Sequence, residues 1–310
     1  MIRQARVSKF GRCIVHIEGT GIQADGFSGH APVLLSHYHQ DHMQGLERLS
    51  ARRASKAGSE ANGFAIYCSP ITARLLCHID KIAHEHVVAV EPGEEFEPRP
   101  GVRVAVLESN HCMGSVMFFI EASGRRILYT GDFRLNDAIR RSCAALPGID
   151  ELYLDCTYDH PHYRFPPQHE AVEQVLQIIR RSQARVVNVA AYTIGKDRVL
   201  QAIHEEFHEP IYVTEQKYEV YQAIGMERLA TRKKDDTRFR AYSRGYFGRY
   251  FKMGREYRSG ESLVIIPTGW AVDAGEHDPY YHYVPYSEHC DYAELTEFKH
   301  IARAGRVISL

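Results

Sequence analysis

The sequence predicts an α/β protein: a sheet-rich frame interrupted by an inserted segment in which strands and helices alternate. Three observations carry this reading. Short apolar runs bounded by turn residues recur through the first half, at residues 33–36, 102–107, 116–121, 126–130 and 151–155, each of strand length. From Pro167 the pattern changes to helix, strand, helix, strand, helix, a succession that requires parallel pairing through helical crossovers. Residues 280–310 then give a short strand, a loop, a helix and a final strand.

Several strands of the frame run directly into polar clusters: SHYHQDH, ESNHC, TGD and LDCTYDH. Candidate ligands therefore gather along one sheet edge, where loops on a rigid scaffold carry function. A helix is expected from about Met43. In the inserted segment Ala171, Val172, Val175, Leu176, Ile178 and Ile179 mark one helical face, followed by a strand at 186–190. A helix through Val199, Leu200, Ile203 and Phe207, a strand at 211–213 and a helix from about Glu215 come next. Residues 231–260 are polar, basic and aromatic with little periodicity, and read as irregular chain before a strand at 263–267. The insertion accordingly spans 158–269, with 1–157 and 270–310 forming the frame. In the last part PYSEH is a loop, and Leu295, Phe298 and Ile301 mark a helix.

The 310 residues, 44% of them hydrophobic, suffice for two domains or for one large domain carrying an insertion. No apolar run approaches the ~20 residues needed to cross a bilayer, and the start, MIRQARVSKFGRCIVH, lacks the apolar stretch of a secretory signal. A soluble, intracellular chain without a membrane partner is expected, nuclear in a eukaryote and cytoplasmic in a prokaryote. The seven cysteines are scattered singly, without a C-x-x-C pair, which argues against a disulfide framework and against a zinc ribbon. The net charge of −1 hides an uneven distribution, because residues 226–258 carry eleven Lys or Arg against four Asp or Glu.

The central signal is His37-x-His39-x-Asp41-His42 after the strand at 33–36. Three imidazoles and a carboxylate within six positions are hard to explain as packing. Imidazole nitrogen and carboxylate oxygen are the donors that a borderline divalent ion such as Zn²⁺ accepts, and a coordination position left for water makes such a site catalytic. In an extended loop His37 and His39 project to the same side and can share an ion, while Asp41 and His42 point to a neighbouring position. His111 in NHCMGS and Asp132 in YTGDFR each follow a predicted strand, and the two oxygens of Asp132 can bridge two ions. One or two zinc ions are the expected cofactor; manganese or iron would suit the same donors.

H-x-H-x-D-H, NHCMGSVMF, YTGDFR, LDCTY and PYSEH, in that order from Ile22 to the C-terminus, resemble the metallo-β-lactamase superfamily. More narrowly, they resemble its β-CASP nucleases of the DNA cross-link repair group, the Artemis- and Apollo-like proteins. The resemblance implies an αββα sandwich of two sheets with helices outside, interrupted by a β-CASP domain. By position it makes His37, His39, His111 and Asp132 one metal site, with Asp41, His42 and Asp132 serving a second. Asp25 in IQADGF matches the carboxylate that orients the loop from beneath. Asp155 and His289 match the pair that marks the inserted domain and joins the catalytic machinery, with Asp41 holding or deprotonating the attacking water. The implied chemistry is metal-assisted phosphodiester hydrolysis.

Two features bear on substrate. Tyr192, Thr193, Gly195 and Lys196 lie between a strand and a helix, where backbone N–H groups and a lysine suit a phosphate. YTIGK also resembles the segment that lies near a pocket for a terminal 5′-phosphate in the exonuclease members of the group. The basic run Arg228, Arg232, Lys233, Lys234, Arg238, Arg240, Arg244, Arg249, Lys252, Arg255 and Arg258 is interleaved with Tyr242, Tyr246, Phe247, Tyr250 and Phe251. It suits either a nucleic-acid backbone with unpaired bases or aromatic packing against the insertion core. The expectation is a DNA nuclease, a 5′-phosphate-dependent 5′-to-3′ exonuclease in repair. The alternatives are an RNA-processing β-CASP nuclease and a small-molecule hydrolase of the wider superfamily.

Overall fold

The computed structural model describes residues 14–28, 31–46, 65–243, 245–246, 261–273 and 281–310. Its strands and helices, in chain order, are β1 (Val15–Ile17), β2 (Ile22–Ala24), β3 (Val33–Leu34), β4 (Ile66–Cys68), α1 (Pro70–His78), β5 (Val87–Ala89), β6 (Glu95–Arg99), β7 (Val102–Glu108), β8 (Val116–Ala122), β9 (Arg125–Tyr129), α2 (Asp137–Ala144) and β10 (Glu151–Leu154). There follow α3 (Gln168–Arg181), β11 (Val186–Ala190), α4 (Asp197–Phe207), β12 (Ile211–Tyr212), α5 (Glu215–Ile224), β13 (Ala230–Thr231), β14 (Phe239–Tyr242), β15 (Ser262–Pro267), β16 (Tyr281–Val284), α6 (Tyr292–Ala302) and β17 (Arg306–Ser309). The chain divides into two compact units, Met1–Asp159 with Tyr292–Leu310, and His160–Asp291.

The first unit holds two sheets. One has the order β1-β2-β3-β4-β5, the other β17-β10-β9-β8-β7-β6. They share one apolar core: Ile17, Ile22, Ala24 and Leu34 from the first sheet pack with Val104, Val106, Phe118, Ile120, Ile127 and Tyr153 from the second. Full burial of side chains of this size stabilises the fold by about 1.5–3 kcal/mol each, which is why strand register follows the alternation of inward residues. Strands β2 and β3 run parallel. So do β9 and β10, and β7 shares their direction through two antiparallel steps. The chain therefore leaves β7, β9 and β10 at one edge of its sheet, and every proposed ligand loop of this unit follows a strand end.

Helices are capped as their sequences require. Ser69 accepts from Thr72 N at 3.2 Å at the start of α1, and Asn136 accepts from Ile139 N at 2.9 Å at the start of α2. Arg134, buried in the loop before α2, pairs with Glu294 of α6 at 2.7 Å, and Phe133 packs on Phe298 of the same helix. The helix expected from about Met43 lies, past Leu46, outside the described residues.

The second unit is one sheet in the order β13-β12-β14-β11-β15-β16, every pairing parallel. Both β11 and β15 are apolar and almost wholly buried, the pattern of strands covered on both faces. Ala171, Val175, Leu176 and Ile179 form the buried face of α3, and Val199, Leu200 and Ile203 that of α4. Two expectations are corrected here. Residues 239–242, read as irregular chain, form β14 between β12 and β11, because Phe239 and Ala241 point inward in alternation with Arg238 and Arg240. Residues 270–291, assigned to the frame, belong to the inserted unit, because β16 pairs with β15 from Val264↔Tyr281 to Pro267↔Val284. Among the described residues no helix is long and apolar enough to cross a membrane.

Candidate metal centre

The metal-ligand candidates of the first unit lie close together. His37, fully buried, brings Nε2 to 2.9 Å from His39 Nδ1, and His111 Nε2 lies 3.2 Å from the same His39 atom. Asp132 Oδ2 stands 3.8 Å from His37 Nε2, 3.7 Å from His111 Nε2 and 3.3 Å from His42 Nε2. Asp41, half-exposed at its side chain, places Oδ2 3.8 Å from His42 Nε2. A tetrahedral ion with bonds of about 2.0–2.1 Å has ligand-to-ligand edges of roughly 3.3 Å. The observed separations scatter around that edge, so the residues present fit a divalent ion, with Asp132 facing both histidine groups.

The loop is held from below by a single carboxylate. Asp25, at φ 50° and almost fully buried, accepts from Ser36 N (2.8 Å), Ser36 Oγ (2.8 Å) and Tyr129 OH (2.7 Å), and lies 2.6 Å from His42 Nδ1. Such partners fix the tautomer and orientation of a ligating ring. Ser36 Oγ also meets His37 Nδ1 at 2.9 Å, leaving Nε2 for the cluster. On the opposite loop Ser115 Oγ accepts from His111 N and Cys112 N, each at 3.1 Å, and donates to Cys112 O at 2.7 Å. Tyr38 turns away from the cluster and donates to Asp80 Oδ2 at 2.6 Å, anchoring the backbone between His37 and His39.

The charges are arranged for cation binding. Burial, then the neighbouring rings of His42, His39 and His111, holds His37 well below its ordinary range, so it stands as a neutral donor. Burial also works against charge on His42, but Asp132 and Asp25 outweigh it and raise the ring to about 10. Without metal, His42 thus carries a proton that a bound cation replaces.

Asp155, at the end of β10 and buried, accepts from Thr157 N (3.0 Å) and Thr157 Oγ1 (2.6 Å) through Oδ1, and from Phe133 N (3.4 Å) through Oδ2. In the second unit half-buried His289 follows β16, its N–H donating to Ser287 Oγ at 2.9 Å. In the phosphate-binding candidate Tyr192 is exposed and Thr193 half-buried. The other donors of that segment serve the protein's own carboxylates: Gly195 N donates to Asp197 Oδ2 at 2.7 Å and Lys196 N to Glu288 Oε1 at 2.9 Å.

Of the basic run, Arg244, Arg249, Lys252, Arg255 and Arg258, with Phe247, Tyr250 and Phe251, lie outside the described residues. Arg228, Arg232, Lys233, Lys234, Arg238 and Arg240 are described. Arg232 pairs with Glu215 at 2.9 Å, and Arg238 with Glu209 at 3.6 Å. Tyr242 stacks on Tyr246 at 4.1 Å and packs against Ala190, Val264 and Ile266, so these two rings serve the core.

Ser36, Tyr129, Ser115 and the Tyr38–Asp80 pair were not singled out by sequence reasoning. YTGD and HCMGS contain Tyr129 and Ser115, so the signal lay in the flanks of the ligand motifs.

Two sheets packed face to face, with histidines and aspartates on the loops that follow their strands, define a metal-binding αββα sandwich. Residues 22–189 match the family described as beta-lactamase superfamily domain, and residues 249–310 that described as DNA repair metallo-beta-lactamase. The chain belongs to the metallo-β-lactamase superfamily. It is similar to 5′ exonuclease Apollo of Gallus gallus, at 34% identity over 289 residues, covering 91% of this chain and 60% of that protein. Apollo of Mus musculus is 31% identical over 284 residues, covering 89% and 50%. DNA cross-link repair 1A protein of Homo sapiens is 28% identical over 322 residues, covering 94% and 30%. The chain thus spans 60% or less of the length of these relatives. A solved structure of a protein of unknown function from Enterococcus faecalis V583 shares the fold, with a TM-score of 0.61 at 13% identity over 91% of this chain and 75% of that one.

Proposed function

We propose that the chain is a metal-dependent DNA nuclease, a 5′-phosphate-dependent 5′-to-3′ exonuclease acting in DNA repair. The convergence of His37, His39, His111, His42 and Asp132 on one small volume carries the proposal. Similarity to proteins named 5′ exonuclease Apollo over about nine-tenths of the chain supports the substrate and direction. His37, His39, His111 and Asp132 would hold one ion, and Asp132, Asp41 and His42 a second, with zinc the preferred metal. When bound, the ions supply Lewis acidity toward water and toward the non-bridging phosphate oxygens.

The chain's own residues do the rest. Asp41, a half-exposed carboxylate beside His42, receives the proton of the attacking water. Asp25 keeps His42 and Ser36 in register through a buried carboxylate that no solvent competes for. His289 donates a proton to the leaving oxygen, and Asp155 acts with it. Tyr192 and Thr193 receive the terminal phosphate at the surface of the second unit, with Gly195 and Lys196 shaping the segment behind them. A nuclear setting follows if the source is eukaryotic.

The test is digestion of matched single-stranded DNA and RNA oligonucleotides bearing 5′-phosphate or 5′-hydroxyl ends. Stepwise loss from the 5′ end of phosphorylated DNA is expected, abolished by chelator and by Asp41→Ala. Internal cuts indifferent to the 5′ end would overturn the exonuclease reading, and preferential RNA cleavage would overturn the DNA assignment.

A further inference from the structure

Lys196 opens α4 at φ 62°, a left-handed conformation that strains a residue with a Cβ. Such backbone persists only where its surroundings over-determine it. Here the determinant is one carboxylate. Glu288 accepts from the backbone N–H of Lys196 at 2.9 Å through Oε1, and its Oε2 lies 3.4 Å from the ammonium of the same residue. Lys196 is 8% exposed and Glu288 3%. The left-handed turn is compatible with the N–H and the Nζ of one lysine closing on one carboxylate, and the ammonium also lies 5.1 Å from the centre of the Tyr286 ring.

The far side of Lys196 is fixed as well. Buried Lys217 donates to the carbonyls of Tyr192 (2.8 Å) and Thr193 (3.2 Å) and to Asp197 Oδ1 (2.8 Å), and Tyr221 OH donates to the same Oδ1 at 2.6 Å. Segment 192–197 is therefore stapled to α5. Loop 286–291 is tied back to the same region by a second route: Gln168 donates to Ser287 O at 3.0 Å and accepts from Arg198 of α4 at 2.7 Å. Asp291 accepts from Phe165 N at 3.0 Å. His289 sits in the middle of that loop, next to Glu288.

We propose that Lys196 and Glu288 are positioning residues for His289: the buried pair fastens loop 286–291 to segment 192–197, so that the segment facing the substrate's 5′ end and the loop carrying His289 hold one geometry. The inference rests on the proposed reading that His289 serves the reaction. It assigns Lys196 to Glu288 and leaves contact with the terminal phosphate to its neighbours. A removed buried charge leaves its partner uncompensated, so the loop shifts, and a shift of about 1 Å in a reacting group costs up to ~100-fold in rate.

The test compares wild type, Lys196→Met and the near-isosteric Glu288→Gln on 5′-phosphorylated single-stranded DNA. Positioning predicts that kcat falls about tenfold or more with KM little changed. A rise in KM with kcat intact would make Lys196 a phosphate ligand and overturn the inference. Glu288→Gln keeps an acceptor for Lys196 N, so it reports even if Lys196→Met does not fold. Long-range ¹H–¹⁵N spectra of the histidine rings, with His289 assigned by His289→Gln, give an independent readout on substrate-free protein. Displaced His289 signals in Glu288→Gln support positioning even if the wild type cleaves no DNA, an outcome that would defeat the nuclease reading alone. Unmoved signals in both variants overturn positioning.

Discussion

Asp25 Oδ2 lies 2.6 Å from His42 Nδ1 while Asp25 Oδ1 takes the backbone N–H of Ser36, so one buried carboxylate grips both ends of the histidine motif. Replacing it by Asn keeps the size and removes the charge that orients His42. Asp25→Asn is predicted to weaken binding of the second ion about 10–100-fold, with a smaller effect on the first, as outer partners of metal ligands do. Metal titration with an optical competitor checks this; unchanged affinity at both sites would refute the anchoring role.

Gly131 precedes Asp132 with φ 51°, and a Cβ there would stand 2.6 Å from Ser36 Cβ. Gly131→Ala therefore strains the backbone and pushes Ser36 and Asp132 apart, with an expected loss of about 2 kcal/mol or more together with metal binding. Gly124, at φ 74° with nothing within 4 Å of its Cβ position, is the control. Gly124→Ala pays the backbone cost alone and retains metal. Urea unfolding and metal content of the two variants separate strain from collision.

Tyr38 and Asp80 make the other anchor of the loop, 2.6 Å apart. Burial raises the Asp80 carboxyl and the Tyr38 phenol donates to it, so Tyr38→Phe leaves a partly desolvated acceptor and should cost about 1–3 kcal/mol. Asp80→Asn keeps an acceptor for the phenol and is expected to lose less. Equal losses in the two variants would contradict the pairing.

In metal-free protein, His37 and His42 set opposite limbs of the stability profile. Burial and the three neighbouring rings depress His37, so its stabilising contribution is present above about pH 6.5 and is lost as pH falls below that value, where the unfolded chain takes up a proton. Despite burial, Asp132 and Asp25 raise His42 to about 10, so its contribution is present below the unfolded value and is lost as pH rises through about 10. Urea midpoints of chelated protein should decline on both sides of neutrality, and His42→Gln should flatten the alkaline limb. An alkaline limb unchanged by that variant would exclude His42 as its source.

Much of this site was legible in the sequence because its donors are local. His37, His39, Asp41 and His42 share one loop, and His111 and Asp132 end strands whose apolar alternation is plain. The supports were less legible because they join residues far apart in the chain: Tyr129 meets Asp25, Tyr38 meets Asp80 and Lys196 meets Glu288. Strand β14 was hidden for a different reason. Arg240 within it and Arg238 just before it made residues 231–260 look uniformly basic, although Phe239 and Ala241 supply the buried alternate positions. The return to the first unit was misplaced because β16, with Tyr281, His282 and Tyr283, has little apolar character, yet pairs along β15.

The most direct measurement strips metal from wild type and Asp132→Ala, returns measured equivalents of Zn²⁺ or Mn²⁺, and follows release of mononucleotides from 5′-phosphorylated single-stranded DNA beside bound metal. Turnover is expected to disappear on stripping, to return in wild type with one or two bound equivalents, and not to return in Asp132→Ala. Turnover that survives stripping, or that Asp132→Ala retains at the wild-type rate, would contradict hydrolysis at this centre.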